Sequence, residues 1–170
     1  MKSGIITYNE FELAEELEEK GGLAFVASKD TYIGKVKNYS LQEMRNALES
    51  EEYAYVFVTG YKKLIPKDIV RDFKGKLLNV HLSLLPMFSG KGMYGDNILS
   101  LITNSNEEYT GITIHEVEEE YDNGKLILQS KIKNPFSKQI LRQKLKEEEL
   151  ILCKELLNTR KKQVVEVKAE

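Results

Sequence analysis

Tyr53-Ala54-Tyr55-Val56-Phe57-Val58-Thr59 joins aromatic and β-branched side chains in one short run and stops at Gly60. That composition, closed by a glycine, reads as a β-strand. Two similar runs lie upstream, Gly4-Ile5-Ile6-Thr7-Tyr8 and Leu23-Ala24-Phe25-Val26-Ala27-Ser28. Between them Asn9 and Glu12 form a capping box, Phe11, Ala14 and Leu17 recur at helical spacing, and Gly21-Gly22 ends the helix. Lys29 to Asn38 reads as a loop. A second capping box, Ser40 with Glu43, opens a helix through Met44, Ala47 and Leu48. Downstream, a short helix after Pro66 carries Ile69 and Val70, and Leu77-Leu78-Asn79-Val80-His81 is the next strand. This βαβαβ order predicts an α/β domain with an open twisted sheet, mostly parallel, and helices on both faces.

The pattern changes after His81. Met87 to Gly95 is a glycine-rich loop, followed by a helix from Asp96 through Leu101. Gly111 to Val117 and Lys125 to Ile132 both alternate like strands. The Asp122-Asn123-Gly124 turn between them predicts an antiparallel pair added at the C-terminal side of the sheet. After Asn134-Pro135, Ser137 caps a long helix holding Leu141, Leu145, Leu152, Leu156 and Leu157. The expected organisation is one domain over residues 1–158 and a charged tail over 159–170.

Composition narrows the function classes. The chain has 170 residues, enough for one sizeable core, with 41% hydrophobic and 31% charged residues. A net charge of −2 argues against wholesale nucleic-acid binding. Cys153 is the only cysteine, so no internal disulfide or cysteine metal cluster can form, and no metal is expected. No apolar run approaches the roughly 20 residues that span a bilayer. The N-terminus enters strand-like sequence without a signal peptide, and a cytoplasmic protein acting on small molecules, as a monomer or homodimer, is expected.

Both histidines fall in one pair of segments, Asn79-Val80-His81-Leu82-Ser83-Leu84-Leu85-Pro86 and Thr110-Gly111-Ile112-Thr113-Ile114-His115-Glu116-Val117. The second runs on to Glu120-Tyr121-Asp122-Asn123-Gly124. An amide, an imidazole and a carboxylate are thereby placed near strand ends, where open α/β sheets hold their chemistry. Such a set can move a proton near neutral pH and hold a developing oxyanion. Taken singly, each has a plainer reading: an asparagine at a strand end forms turns, and an aspartate before Asn-Gly forms a hairpin.

Taken together they resemble the folate-dependent formyltransferases, most closely the branch acting on phosphoribosylglycinamide. The family pattern, Asn-x-His-Pro-Ser-Leu-Leu-Pro, a Gly-Lys-Gly-Met-Tyr-Gly loop, Gly-x-Thr-x-His and an Asp before Gly, is met by Asn79 to Pro86, Gly90 to Gly95, Gly111 to His115 and Asp122-Asn123-Gly124. Weaker similarity extends through Gly60 to Pro66 and forward to Gln129 and the last helix, about two-thirds of the chain in all. The resemblance implies a Rossmann-like fold and formyl transfer from 10-formyltetrahydrofolate to the amine of glycinamide ribonucleotide. It makes Asn79, His81 and Asp122 catalytic. Tyr61, Lys62, Lys63, Leu64, Ile65 and Tyr121 would line the folate pocket, and Lys91, Gly92, Met93 and Glu149 would meet the acceptor. Thr113 and His115 would support the catalytic groups from behind, with a satisfied core histidine as the other reading of His115. A solvated helix face is the other reading of Glu149, within Glu147-Glu148-Glu149.

The chain also departs from that pattern. Relatives follow their first strand with a glycine-rich loop that grips phosphate at a helix N-terminus. Here the sequence is Thr7-Tyr8-Asn9-Glu10-Phe11-Glu12, with an N-cap and two carboxylates that repel a phosphate. Either the phosphate is held elsewhere, Lys91 being a candidate, or the acceptor lacks one. Leu82 replaces the proline after the histidine, and the connection after Gly60-Tyr61 is a residue shorter than in many relatives. The expectation is a compact, divergent member. Its alternatives are a formyltransferase for another amine, such as an amino sugar nucleotide, and a non-catalytic folate-binding relative.

Overall fold

A computed structural model of the chain describes residues 2–6, 23–27, 45–46, 53–59, 65–119 and 124–169, with side chains over 45–46, 55–59, 65–119 and 124–156. The strands among them are β1 (Lys2–Ile6), β2 (Leu23–Ala27), β3 (Tyr53–Val58), β4 (Leu77–His81), β5 (Tyr109–Glu116) and β6 (Leu126–Lys133). They form one open sheet in the order β2-β1-β3-β4-β5-β6. β1 runs parallel to β2 and β3, and β3 parallel to β4. The chain adds β2 on one side of β1 and then returns to add β3 on the other. That reversal opens a crevice at the carboxyl ends of the strands.

The strands expected from the sequence are present, and the antiparallel pair β5–β6 is where the turn signal put it. One reversal comes earlier: β5 is also antiparallel to its other neighbour, β4. Helix α2 (Gly95–Thr103) makes this possible, because the chain leaves the carboxyl end of β4, runs through α2 and re-enters the sheet in the opposite direction. The helix expected from Asn9 lies outside the described residues, and so does that from Ser40 except for the helical Arg45 and Asn46. Arg45 forms ion pairs with Asp68 and Asp72 of α1 (Lys67–Asp72). The last helix, α3 (Lys138–Ala169), continues through residues 159–169.

Alternation along the strands decides what each face carries. Phe57, Leu78, Val80, Ile112 and Ile114 point to one face and pack against Ile98, Leu99 and Ile102 of α2 and Leu141, Leu145, Leu152 and Cys153 of α3. Ile98 and Leu99 lie four and three residues before Ile102, and Leu141, Leu145 and Leu152 follow at steps of four and seven, one apolar stripe per helix. Each fully buried aliphatic side chain in this layer contributes about 1.5–3 kcal/mol. Val56, Val58 and Leu77 point to the opposite face and are also buried. Asn79 and His81 follow Leu77 at two-residue steps and share that second face.

Two local features hold the layers in register. Asn134, buried between β6 and α3, donates from Nδ2 to the carbonyls of Ile102 (3.0 Å) and Glu107 (2.9 Å) and accepts from the Phe136 N–H (2.9 Å). Its amide thereby ties the end of α2 to the start of α3. Gly111 sits where β5, β6 and the loop after β4 converge. A Cβ there would lie 1.8 Å from the Ser130 carbonyl oxygen and 2.9 Å from Leu84 Cδ2, so only glycine fits.

Candidate active site

The site is built at the carboxyl end of β4. In the β4–β5 ladder Asn79 lies opposite His115 and His81 opposite Thr113, so four polar side chains share the second face of the sheet. Asn79 Nδ2 and His115 Nε2 are 3.2 Å apart, and His115 Nδ1 lies 2.9 Å from the Glu116 carbonyl oxygen. A carbonyl can only accept, so His115 carries its proton on Nδ1 and accepts from the Asn79 amide at Nε2. His115 is 2% exposed and positions Asn79. Both readings left open by the sequence fit this contact: His115 backs the Asn79 amide, and it is a buried histidine with both ring nitrogens hydrogen-bonded.

His81 is held from the loop that follows it. Its Nε2 lies 2.7 Å from the Phe88 carbonyl oxygen, so the Nε2–H donates there and Nδ1 is the unprotonated nitrogen of the neutral ring. Phe88 adopts a left-handed backbone conformation, φ 53°, which helps to aim that carbonyl back at the strand. The loop itself is clamped by Thr113. The Thr113 hydroxyl donates to the Ser83 carbonyl at 2.7 Å and accepts from the Leu85 N–H at 3.1 Å and Gln129 Nε2 at 2.9 Å. Its hydrogen-bonding capacity is filled. Ser83 adds a bond to the Met87 carbonyl at 2.6 Å. The Leu85–Pro86 peptide within this loop is cis.

On the other side of the β4 end lies a cavity of about 310 Å³, lined by Leu82, Gly95, Asp96, Leu99, Arg142, Leu145, Lys146 and Glu149. Glu149 is 2% exposed and accepts a hydrogen bond from the Thr59 hydroxyl at the end of β3. It is therefore no solvated helix-face residue. One turn on, burial first and the Glu149 carboxylate second push the Cys153 thiol well above its ordinary pKa. Of the other acceptor residues expected from the sequence, Met93 packs on the core and Gly92 takes φ 85°. Lys91 is exposed on the same loop and is not part of the cavity wall.

Ile65 is buried at 6% exposure. Tyr61, Lys62, Lys63, Leu64, Tyr121 and Asp122 lie outside the described residues. Just beyond Asp122, a Cβ on Gly124 would stand 1.6 Å from the Glu116 carbonyl oxygen, so the chain leaving that loop passes directly against the end of β5. Among the described residues no three of His, Cys, Asp and Glu converge as a metal site, and no helix is long and apolar enough to cross a membrane. Sequence reading missed the Phe88 carbonyl, Thr59, Arg142 and Lys146. For the last two a signal existed: Arg142, Leu145, Lys146 and Glu149 recur at three- and four-residue steps, which puts them on one helix face.

A family model described as formyl transferase matches residues 10–157. The chain belongs to the formyl transferase family. It is 40% identical over 94 residues to the chloroplastic phosphoribosylglycinamide formyltransferase of Arabidopsis thaliana, covering 55% of this chain and 32% of that one. To the phosphoribosylglycinamide formyltransferase of Haemophilus influenzae it is 35% identical over 101 residues, covering 56% and 45%. The matched stretches thus span a third to under a half of these curated relatives. The crystal structure of phosphoribosylglycinamide formyltransferase from Streptococcus pneumoniae superimposes with a TM-score of 0.76 at 21% identity, over 93% of this chain and 97% of that one. At that identity the likeness establishes the fold. The chain keeps the Rossmann-like sheet, with Asn79 and His81 at the carboxyl end of β4.

Proposed function

We propose that the chain transfers a formyl group from 10-formyltetrahydrofolate to the amine of glycinamide ribonucleotide. The observation that carries this reading is the pairing of Asn79 with His81 on one face of the β4 end, the amide oriented by His115 and the imidazole by the Phe88 carbonyl. Two rigid elements thus supply an N–H donor and a proton carrier side by side. The amine attacks the formyl carbon, and its C=O becomes an oxyanion on a tetrahedral centre. The amide of Asn79 donates to that oxygen, a contact typically worth about 3–4 kcal/mol of barrier. His81 stabilises the same charge as an imidazolium and passes the proton from the attacking amine to the departing folate nitrogen. Asp122 is the carboxylate that the sequence resemblance adds to this set. No covalent nucleophile is needed.

The two sides of the β4 end fit the two substrates. The acceptor is received in the Glu149 cavity, whose volume suits a ribose, and the folate against Ile65; Tyr61, Lys62, Lys63, Leu64 and Tyr121 are assigned to the folate by the sequence resemblance alone. An amino sugar nucleotide is the second reading, favoured by Thr7 to Glu12 in place of a glycine-rich loop. The test is to supply 10-formyltetrahydrofolate with each amine and follow release of tetrahydrofolate. Turnover with glycinamide ribonucleotide is expected. Turnover confined to the amino sugar nucleotide overturns the acceptor, and folate binding without turnover of any amine overturns the catalytic reading.

A further inference from the structure

The two sides of α3 differ in kind. Leu141, Leu145 and Leu152 turn inward to the core. Ile140, Lys144, Glu147 and Ile151 lie on the outer side and are all exposed, Ile140 at 48% and Ile151 at 56%. They follow one another at steps of four, three and four, the spacing of a helix face that packs lengthwise on a second helix. The only hydrogen bond described at this stripe is within α3, from Gln143 Nε2 to Glu147 at 3.4 Å, long and exposed.

The order along the stripe is symmetric. Ile140 and Ile151 stand equally far from the midpoint between residues 145 and 146, and so do Lys144 and Glu147. A second α3 laid antiparallel across a two-fold axis at that midpoint sets each Ile140 against Ile151 of the other copy and each Lys144 against Glu147 of the other copy. In a parallel pair lysine would meet lysine and glutamate would meet glutamate, so the charges select one direction and one register.

We propose that the protein forms a homodimer in which the α3 helices of two copies pack antiparallel along this stripe. A second copy is the occupant because the stripe is complementary to itself, as a two-fold interface must be. Four side chains from each copy make a small contact beside the roughly 20–30 residues a side of a standard interface, so the dimer is weak, with a dissociation constant between about 1 µM and 1 mM. Glu149 follows Glu147 by about 200° around the axis, so its cavity faces away from the second copy and stays open. The proposal goes beyond the formyl-transfer reading and does not depend on it.

Sedimentation equilibrium of the full chain from about 10 to 500 µM tests it. Lys144→Glu leaves two glutamates from each copy at the centre, and Glu147→Lys leaves two lysines from each. Either variant alone is expected to dimerise at least about 10-fold more weakly than the wild type. Mixed in equal amounts, the two variants set every central glutamate against a lysine of the other chain, and a heterodimer of about wild-type strength is expected. Within each variant chain residues 144 and 147 carry the same charge, so recovery on mixing comes only from pairing between chains. Ile151→Ser leaves every charge in place and is expected to weaken the dimer roughly 3- to 10-fold. A wild type that stays monomeric throughout the range, either charge variant dimerising as tightly as the wild type, no association on mixing, or an unaltered dimer in Ile151→Ser would each overturn the proposal.

Discussion

Asn79 and His115 face each other across the β4–β5 ladder, and the histidine accepts the asparagine's amide at 3.2 Å while its other nitrogen is held by the Glu116 carbonyl. A rigid strand pair therefore sets the direction of the amide before substrate arrives, which is the preorganisation an oxyanion donor requires.

Replacing His115 with phenylalanine keeps a ring of similar size and removes the acceptor. One neutral hydrogen bond is worth about 0.5–1.5 kcal/mol, so kcat should fall roughly 3- to 10-fold with KM little changed. Steady-state kinetics read the split. A rise in KM with kcat intact would assign His115 to the pocket rather than to Asn79.

Thr113→Val should release the loop after β4. The variant loses the bonds to Ser83, Leu85 and Gln129 and leaves buried partners unsatisfied, a cost of about 1–3 kcal/mol. Amide exchange should accelerate over residues 83–88 ahead of the core strands, and kcat should drop because the Phe88 carbonyl no longer steadies His81. Unchanged exchange in that loop would show that Thr113 does not clamp it.

Gly111→Ala places a methyl group 1.8 Å from the Ser130 carbonyl oxygen, backbone that can move only by breaking the β5–β6 ladder. Overpacking of this kind costs about 1–3 kcal/mol or more. A melting temperature lowered by several degrees is expected in thermal unfolding, and an unaltered one would contradict the close approach.

Cys153 is buried, and its thiol is pushed well above the ordinary value of 9.0, by burial first and by Glu149 second. The folded state therefore keeps its proton where the unfolded chain would release it. This contribution to stability is full below pH 9.0 and declines as pH rises beyond it. Denaturant titrations should show a falling midpoint above that pH, a slope that Cys153→Ala abolishes. A thiol-reactive disulfide should label the native protein only at the rate of global opening; rapid native labelling would be inconsistent with this burial.

Much of this arrangement is legible in the sequence because it depends on local periodicity. The runs ending at Thr59 and His81 announce parallel strands, and the steps of Leu141, Leu145 and Leu152 announce the inner face of α3. Alternation along β5 separates Ile112 and Ile114 from Thr113 and His115, as the fold bears out. What escapes is non-local. Nothing in the run around β4 says that β5 will lie antiparallel beside it, since both strands are buried on both faces and their direction is set by how α2 returns the chain. The acceptors of the Thr113 and His81 bonds are backbone carbonyls, which carry no sequence signature. By composition Glu149 is one of three glutamates, singled out only by the resemblance; in the fold its burial and the Thr59 hydroxyl at the end of a distant strand set it apart. Arg142 and Lys146 resemble ordinary surface cations until the cavity beside them is seen.

The central claim is that the amide held at the end of β4 stabilises the oxyanion of formyl transfer, and kcat of Asn79→Ala with 10-formyltetrahydrofolate and glycinamide ribonucleotide measures it most directly. A fall of roughly 100- to 1000-fold, with both substrates still bound, is the predicted result. Turnover at the wild-type rate would contradict the account.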